Sequence, residues 1–298
     1  MPPAVVPKSA NQFIERQLDQ QLRAVAGALE SDALAFYGPL LGGTDDIIRI
    51  AVERLKQERR TRKRLALLVT TAGGFIEVVQ RVVETIRHHY DHVDVVVPNY
   101  AFSAGTVLAL SGDAIHMDYY ARLGPIDPQV QTPKGQMVSA LGYLAQWERL
   151  MTKAKSPDGL TVAELYLMTN GFDQGELYMY EHARELSVTL LKKWLEAYKF
   201  KDWKQTEKRG LAVTSSMKLD RAEEIARALN DTERWHVHGY GISKDVLHNE
   251  LNLRIDDLDK FPSLCSKIRS YHNLLDDYMI KRGDEGAVHS VGQYLPFS

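Results

Sequence analysis

Two short segments of this chain hold the residue types needed to break an acyl bond. Ser103 stands in Ala101-Phe-Ser-Ala-Gly-Thr106, among small residues, after a strand-like run and at the start of an apolar helical one. A hydroxyl placed there meets the positive end of a helix dipole with room for a substrate backbone, which makes Ser103 the best nucleophile candidate in the sequence. Its bland alternative is a helix N-cap serine. The second segment, Thr70-Thr-Ala-Gly-Gly74, follows another apolar run. Glycines between a strand and a helix leave backbone N–H groups unshielded, and an oxyanion hole can be built from such groups without side chains.

Both segments need elements that bring them together. Leu65–Val69 reads as a fully buried strand of the parallel type, 75–90 as a helix, Val93–Val97 as a second strand and 103–110 as a very apolar helix. With right-handed crossovers, this strand–helix–strand–helix order puts both loops at the carboxyl ends of neighbouring strands, over one crevice. Upstream, residues 10–30 have the apolar spacing of an amphipathic helical arm, 34–37 read as a short strand, and Thr44 before Asp45 and Asp46 reads as a helix N-cap. Downstream come helices over 138–151, 176–198 and 221–229, and a strand and turn from Trp235 to Ile242. A helix over 269–281 precedes what reads as a loose tail. The expected organisation is an N-terminal helical arm (1–30), a main α/β domain (31–258) and a C-terminal helix with its tail (259–298).

The 298 residues carry 37 Lys plus Arg against 39 Asp plus Glu, a formal charge of −2, and are 44% hydrophobic and 26% charged. That composition excludes a disordered chain and a generally basic nucleic-acid binder. The run 56–64 holds six basic residues; it reads as a solvated helix end, so nucleic acid is not an expected partner. One cysteine, Cys265, cannot make an intrachain disulfide, has no nucleophile context and reads as packing. His88, His89 and His92 fall at a helix end, and His236 and His238 alternate on a strand, but no carboxylate or thiol set completes a metal site. The reading assigns no metal and no cofactor. No charged segment followed by an apolar one opens the chain, and no stretch of about 18 apolar residues occurs, so a cytoplasmic protein without a membrane partner is expected.

Thr71-Ala-Gly-Gly74 resembles the oxyanion turn of the ClpP/crotonase superfamily, and Ala101–Thr106 with Leu110-Ser-Gly-Asp-Ala-Ile-His-Met-Asp118 resembles its nucleophile segment. Leu123-Gly-Pro-Ile-Asp-Pro-Gln129 is similar to the serine dehydrogenase proteinase family, a branch related to signal peptide peptidase A. The resemblance is specific over 65–130 and looser, through helix order and His238-Gly-Tyr-Gly-Ile242, to about residue 256. It implies an α/β ClpP/crotonase-like fold of repeated strand–helix units with added helices. It also implies a serine peptidase acting on peptides or proteins, and a homo-oligomer. Ser103 matches the nucleophile, and the backbone of Gly73, Gly74 and Ala104 matches the oxyanion hole.

The general base is where the resemblance divides. Pro128 stands where ClpP-like enzymes carry a histidine. Relatives of signal peptide peptidase A use a lysine, and a desolvated lysine can give up its proton near neutral pH. Lys155, 52 positions after Ser103, matches that spacing; Lys153 is the alternative base and Lys134 a distant third. Asp127 comes from the loop that should face the serine, as an orienting group or as a turn residue between prolines. Other functions stay open at this point. Ala-Phe-Ser-Ala-Gly differs from the α/β-hydrolase elbow by one glycine, which would make an esterase with His236 or His238 downstream. A crotonase-like acyl-CoA enzyme has no use for the serine, and a catalytically silent ClpP-fold scaffold or binding protein would need no base.

Overall fold

The computed structural model describes residues 9–57, 62–126, 129–131, 137–206, 209–235 and 239–297. In chain order the first half runs α1 (Ala10–Ala28), β1 (Asp32–Tyr37), α2 (Thr44–Gln57), β2 (Arg64–Thr70), α3 (Ile76–His89), β3 (His92–Val97), β4 (Tyr100–Ala101), α4 (Ala104–Leu110), β5 (Ala114–Met117) and β6 (Arg122–Leu123). A small hairpin, β7 (Gln129–Gln131) and β8 (Met137–Ser139), leads to α5 (Ala140–Ala154), α6 (Val162–Asn170) and α7 (Gln174–Trp194), which closes in a π-turn, Leu195–Lys199. The rest is α8 (Ser215–Leu229), α9 (Thr232–Trp235), β9 (Ile242–Ser243), α10 (Lys244–Asn249), β10 (Asp256–Asp257), α11 (Pro262–Arg282), β11 (Gly286–Ser290) and β12 (Gln293–Phe297).

Seven strands form the central sheet, in the order β10-β5-β3-β2-β1-β11-β12. β10, β5, β3, β2 and β1 are parallel; β11 and β12 add antiparallel strands beyond β1. The fold is therefore mixed α/β with a mainly parallel sheet. Its strands are apolar on both faces because both faces are covered. Leu34 and Phe36 of β1, Leu65, Leu67 and Val69 of β2, and Val93, Val95 and Val97 of β3 pack into one core with residues of α2, α3, α4, α7 and α8. Ala33, Ala35, Tyr37, Ala66, Leu68 and Val96 alternate onto the other face, where α1 and α11 cover them through Leu18, Leu22, Val25, Tyr271 and Leu275.

Two expectations fail here. The segment read as a loose tail forms β11 and β12, because Gly283 at φ 75° ends α11 and turns the chain back along β1, where Val288 and Ala287 are fully buried. Trp235, read as part of a strand, ends the short helix α9. Its indole N–H donates to the Ala228 carbonyl at 2.6 Å, and the Asp231 carboxylate accepts the Arg234 N–H at 3.0 Å in the first turn.

A second, smaller sheet (β4-β6-β9) sits over the carboxyl edge of the first, with β6 parallel to β4. Its strands β4 and β6 enter the Ser103 turn and the Gly124 turn, and their pairing sets the distance between them.

Candidate functional site

The Ser103 turn is held in a shape its sequence would not choose alone. Ser103 has φ 54° and ψ −122°, outside the common regions for a residue with a side chain, and it is buried. Such a conformation costs about 1–3 kcal/mol and persists only where neighbours fix it. Here Phe102 N–H donates to the Thr71 carbonyl at 2.9 Å, Gly105 N–H to the Phe102 carbonyl at 2.8 Å and Thr106 N–H to the Ser103 carbonyl at 2.8 Å. Ser103 occupies the N-cap position of α4, yet its hydroxyl makes no capping bond, and every residue of α4 is buried. The capping explanation for this serine therefore falls away.

The glycine turn lies directly against it. A Cβ added to Gly73, at φ 105°, would fall 2.7 Å from the Phe102 carbonyl oxygen, 2.8 Å from Ser103 Cβ and 3.3 Å from the Ala104 nitrogen. Gly74, at φ 148°, is pressed as closely onto Leu40, whose N–H donates to the Gly73 carbonyl at 2.9 Å and whose carbonyl accepts the Phe75 N–H at 2.8 Å. The Gly73 N–H is engaged too, donating to Thr71 Oγ1 at 3.0 Å. Among the described residues no acceptor takes the Gly74 or the Ala104 N–H, and Ala104 opens α4, where unpaired amides are the rule.

Two threonines that sequence reasoning passed over tie these pieces together. Thr71 bridges to Ala101 and fills the space over Gly105, where a Cβ would meet its methyl at 2.4 Å. Thr106 is fully buried; its hydroxyl lies 2.8 Å from the Ala101 carbonyl and 2.9 Å from that of Gly124, and accepts the Gly124 N–H at 3.0 Å. Thr106 is the one hydroxyl-bearing side chain in an otherwise apolar α4, but nothing local in the sequence says which backbone groups it meets.

The lysines are placed differently. Lys153, near the end of α5, has its Nζ 2.6 Å from Glu164 Oε1, and this bond with those from Thr161 lowers the Glu164 carboxyl to about 2. Lys155 follows α5 and is exposed. No hydrogen bond or ion pair joins either lysine to the Ser103 turn among the described residues. Asp127, Lys134, His236 and His238 lie outside the described residues. Cys265 is partly buried, with Sγ 3.7 Å from Asp118 Oδ2, and burial pushes its thiol up. Among the described residues no group of three metal-ligating side chains is assembled.

At the opposite, amino edge of the sheet the charged groups pair with one another. Burial alone would raise the Asp94 carboxyl, but Arg64, His116 and His92 hold it well below the usual range. Asp113 is lowered against the same burial by Lys201, the Val93 N–H and Arg87. Neither group faces the serine.

A strained serine opening a buried helix, with a glycine turn packed on it at a sheet's carboxyl edge, is the arrangement that comparison with known proteins bears on. Residues 46–148 match the family of ClpP-like SDH-type serine proteinases. The matched segment runs from α2 through α4 and β6 into α5, and contains both Gly73-Gly74 and Ser103. An uncharacterized protein of Methanocaldococcus jannaschii is 39% identical over 80 residues, covering 26% of this chain and 28% of that relative. A second from the same organism is 31% identical over 134 residues, covering 43% and 44%. The chain therefore spans less than half the length of either relative. Two solved structures of a 1510-N membrane-bound stomatin-specific protease are similar over 50% of this chain. One is a serine-to-alanine mutant (19% identity, 74% of that chain, TM-score 0.32). The other is a lysine-to-alanine mutant in complex with a substrate peptide (21% identity, 70% of that chain, TM-score 0.32). Among the described residues no helix is long and apolar enough to cross a membrane.

Proposed function

We propose that this chain is a serine peptidase that cleaves peptide bonds by acyl transfer, with Ser103 as its nucleophile. The observation that carries the reading is the contact of Gly73 with Ser103, which leaves no room for a side chain and presses two backbone turns together at one serine. Ser103 Oγ attacks the scissile carbonyl carbon while its proton passes to a base. The carbonyl oxygen takes the negative charge, and the Gly74 and Ala104 amides, with Gly73 beside them, are the donors suited to hold it. Collapse of the intermediate expels the amine, which takes up the proton, and water then releases the acyl group by the same steps in reverse order.

A lysine is the base in this reading. Lys155 is preferred, because the Lys153 ammonium is already engaged by the Glu164 carboxylate at 2.6 Å, whereas Lys155 matches the spacing from Ser103. For Lys155 to act, the exposed end of α5 has to close over the serine when substrate binds. The substrate is a peptide or protein, and the same reading makes the chain a homo-oligomer.

The test uses a fluorophosphonate probe. Wild type is expected to be labelled and Ser103→Ala not, while Lys155→Ala retains its fold and loses peptide cleavage by about a hundredfold or more, the scale of a general base. Absence of labelling in wild type at neutral and alkaline pH would remove the peptidase reading and favour a silent scaffold. Full cleavage by Lys155→Ala would return the base to Lys153 or Asp127.

A further inference from the structure

The segment that holds the serine is not self-contained. β5 ends at Met117 on the carboxyl edge, level with Val97 of β3, and the chain then turns through 118–121 into β6. Asp118 holds that turn. Its carboxylate is buried, and Oδ1 accepts the N–H groups of Tyr120 and Ala121, each at 2.9 Å. Oδ2 accepts from Arg269, with Nε at 2.8 Å and Nη2 at 2.6 Å. Arg269 lies in the middle of α11, well outside residues 46–148, and its guanidinium also stacks over the Tyr119 ring, 4.9 Å from the centroid.

From this turn a short series of bonds leads to the nucleophile. Arg122 N–H donates to the Asn99 carbonyl at 2.8 Å, and β6 pairs with β4 through Arg122–Tyr100 and Leu123–Ala101. Gly124, next after β6, meets the buried Thr106 hydroxyl, which also reaches the Ala101 carbonyl, two residues before Ser103. Each link is a backbone group or a buried hydroxyl, so a displacement of the 118–121 turn has little slack to absorb it. The Ser103 turn is strained, and strained turns depend on such neighbours.

We infer that Arg269 is a positioning residue for Ser103, setting the serine turn through Asp118 and β6. The C-terminal helix thereby becomes a control element for the site. Arg269 and Cys265 line an open cleft of about 420 Å³ together with Tyr119, Asp259, Ser266 and Asn273. The Arg269 side of the ion pair is thus open to solvent. The inference rests on the reading of Ser103 as a nucleophile.

The rate of fluorophosphonate labelling tests it in the whole 298-residue chain. Arg269→Gln keeps much of the side chain's length and removes the charge; it is expected to slow labelling of Ser103 at least tenfold at a temperature where the variant is still fully folded, with a lowered melting temperature because the buried Asp118 loses its counter-charge. Where a cleavable peptide is in hand, the same variant lowers kcat and leaves KM in place, since Arg269 touches no substrate. Arg269→Lys, which retains one charged contact, restores most of the rate. Arg282→Gln on the same helix, where the guanidinium pairs with Asp284, labels as wild type does. Equal labelling rates for wild type and Arg269→Gln would overturn the inference while leaving Ser103 its role. A slower rate that merely tracks a smaller folded fraction, or an Arg282→Gln effect of the same size, would overturn it as well. Failure of wild type to label at all is the separate result that defeats the underlying reading.

Discussion

Gly73 has no space for a side chain, and its backbone adopts a φ that disfavours one. In Gly73→Ala the new methyl must displace either the Phe102 carbonyl or Ser103 itself, while the residue is strained at φ 105°. The expected loss is about 1–3 kcal/mol in urea unfolding, with loss of probe labelling. Gly42, which has nothing within 4 Å of an added Cβ, is the control: Gly42→Ala changes stability by less than about 0.5 kcal/mol. An equal effect at both positions would mean that the contact with Ser103 is unimportant. The meeting of these two segments was legible in the sequence, because small residues at a strand-to-helix junction mark close backbone approach. The threonines were not. Thr71 and Thr106 act on Gly105 and Gly124 through tertiary contacts, and no local pattern distinguishes a threonine that ties two turns from one that fills a strand end. The lysine was legible only as a spacing, since 51 intervening residues of strand, helix and loop separate Lys155 from Ser103 without a periodicity that fixes their distance.

Among the elements, the parallel core was plain from the apolar runs of β2 and β3 and the glycine loop between them, whereas the basic run 56–64 is no single solvated helix end: Lys56 lies over the Tyr90 ring and Arg64 opens β2, paired with Asp94. The antiparallel pair β11–β12 was hidden. His289 and Ser290 are polar residues in a fully buried strand, and they make the segment read as a tail. What lets β11 stay buried lies elsewhere in the chain: Tyr271 Oη is 2.7 Å from His289 Nδ1, and Asp19 Oδ1 is 3.2 Å from its Nε2. Removal of residues 286–298 should therefore do more than shorten a terminus. It would strip β1 of the strand paired along Leu34–Tyr37 and leave an apolar edge open to other chains. The expected outcome is soluble aggregate in size-exclusion chromatography and a lower melting temperature. A monodisperse product with the parent's stability would show that β1 needs no neighbour there. α6 escaped sequence reading for the opposite reason: it is apolar, but none of its residues is buried, so no periodic face announces it.

For the molecule as a whole, charge placement at the amino edge of the sheet sets how stability varies with pH. The Asp94 and Asp113 carboxyls titrate below their unfolded value of 3.8, so the stability they contribute is present above that pH and is lost as pH falls through their folded values. Lys199 also makes stability rise with pH, but by a different route, because its charged form is a cost to the fold. It ends the π-turn after α7, partly buried, with no hydrogen bond or ion pair within 4.0 Å among the described residues. Burial is the main cause that lowers it to about 8 from 10.5, with Arg254 adding to the effect and Asp256, Asp113 and Asp94 opposing it. Between those two values the unfolded chain binds the proton and the folded one has released it, so folding gains stability as pH rises from about 8 to 10.5. Below about 8 the lysine is charged in both states, and the folded protein carries the cost of its burial. Lys199→Met keeps the volume and removes that cost. It is expected to stabilise the protein by roughly 1–3 kcal/mol near pH 7, at about 1.4 kcal/mol per pKa unit with some solvent screening. The same variant should show a flatter stability profile between pH 8 and 10.5. Urea unfolding of both proteins at pH 6.5 and pH 10 measures the two effects together, with each curve compared only with its partner at the same pH so that other titrating lysines and tyrosines cancel. A variant that is less stable than wild type at pH 6.5 would mean that Lys199 gains more from Asp256, Asp113 and Asp94 than it loses to burial, and the order of those two effects would have to be reversed.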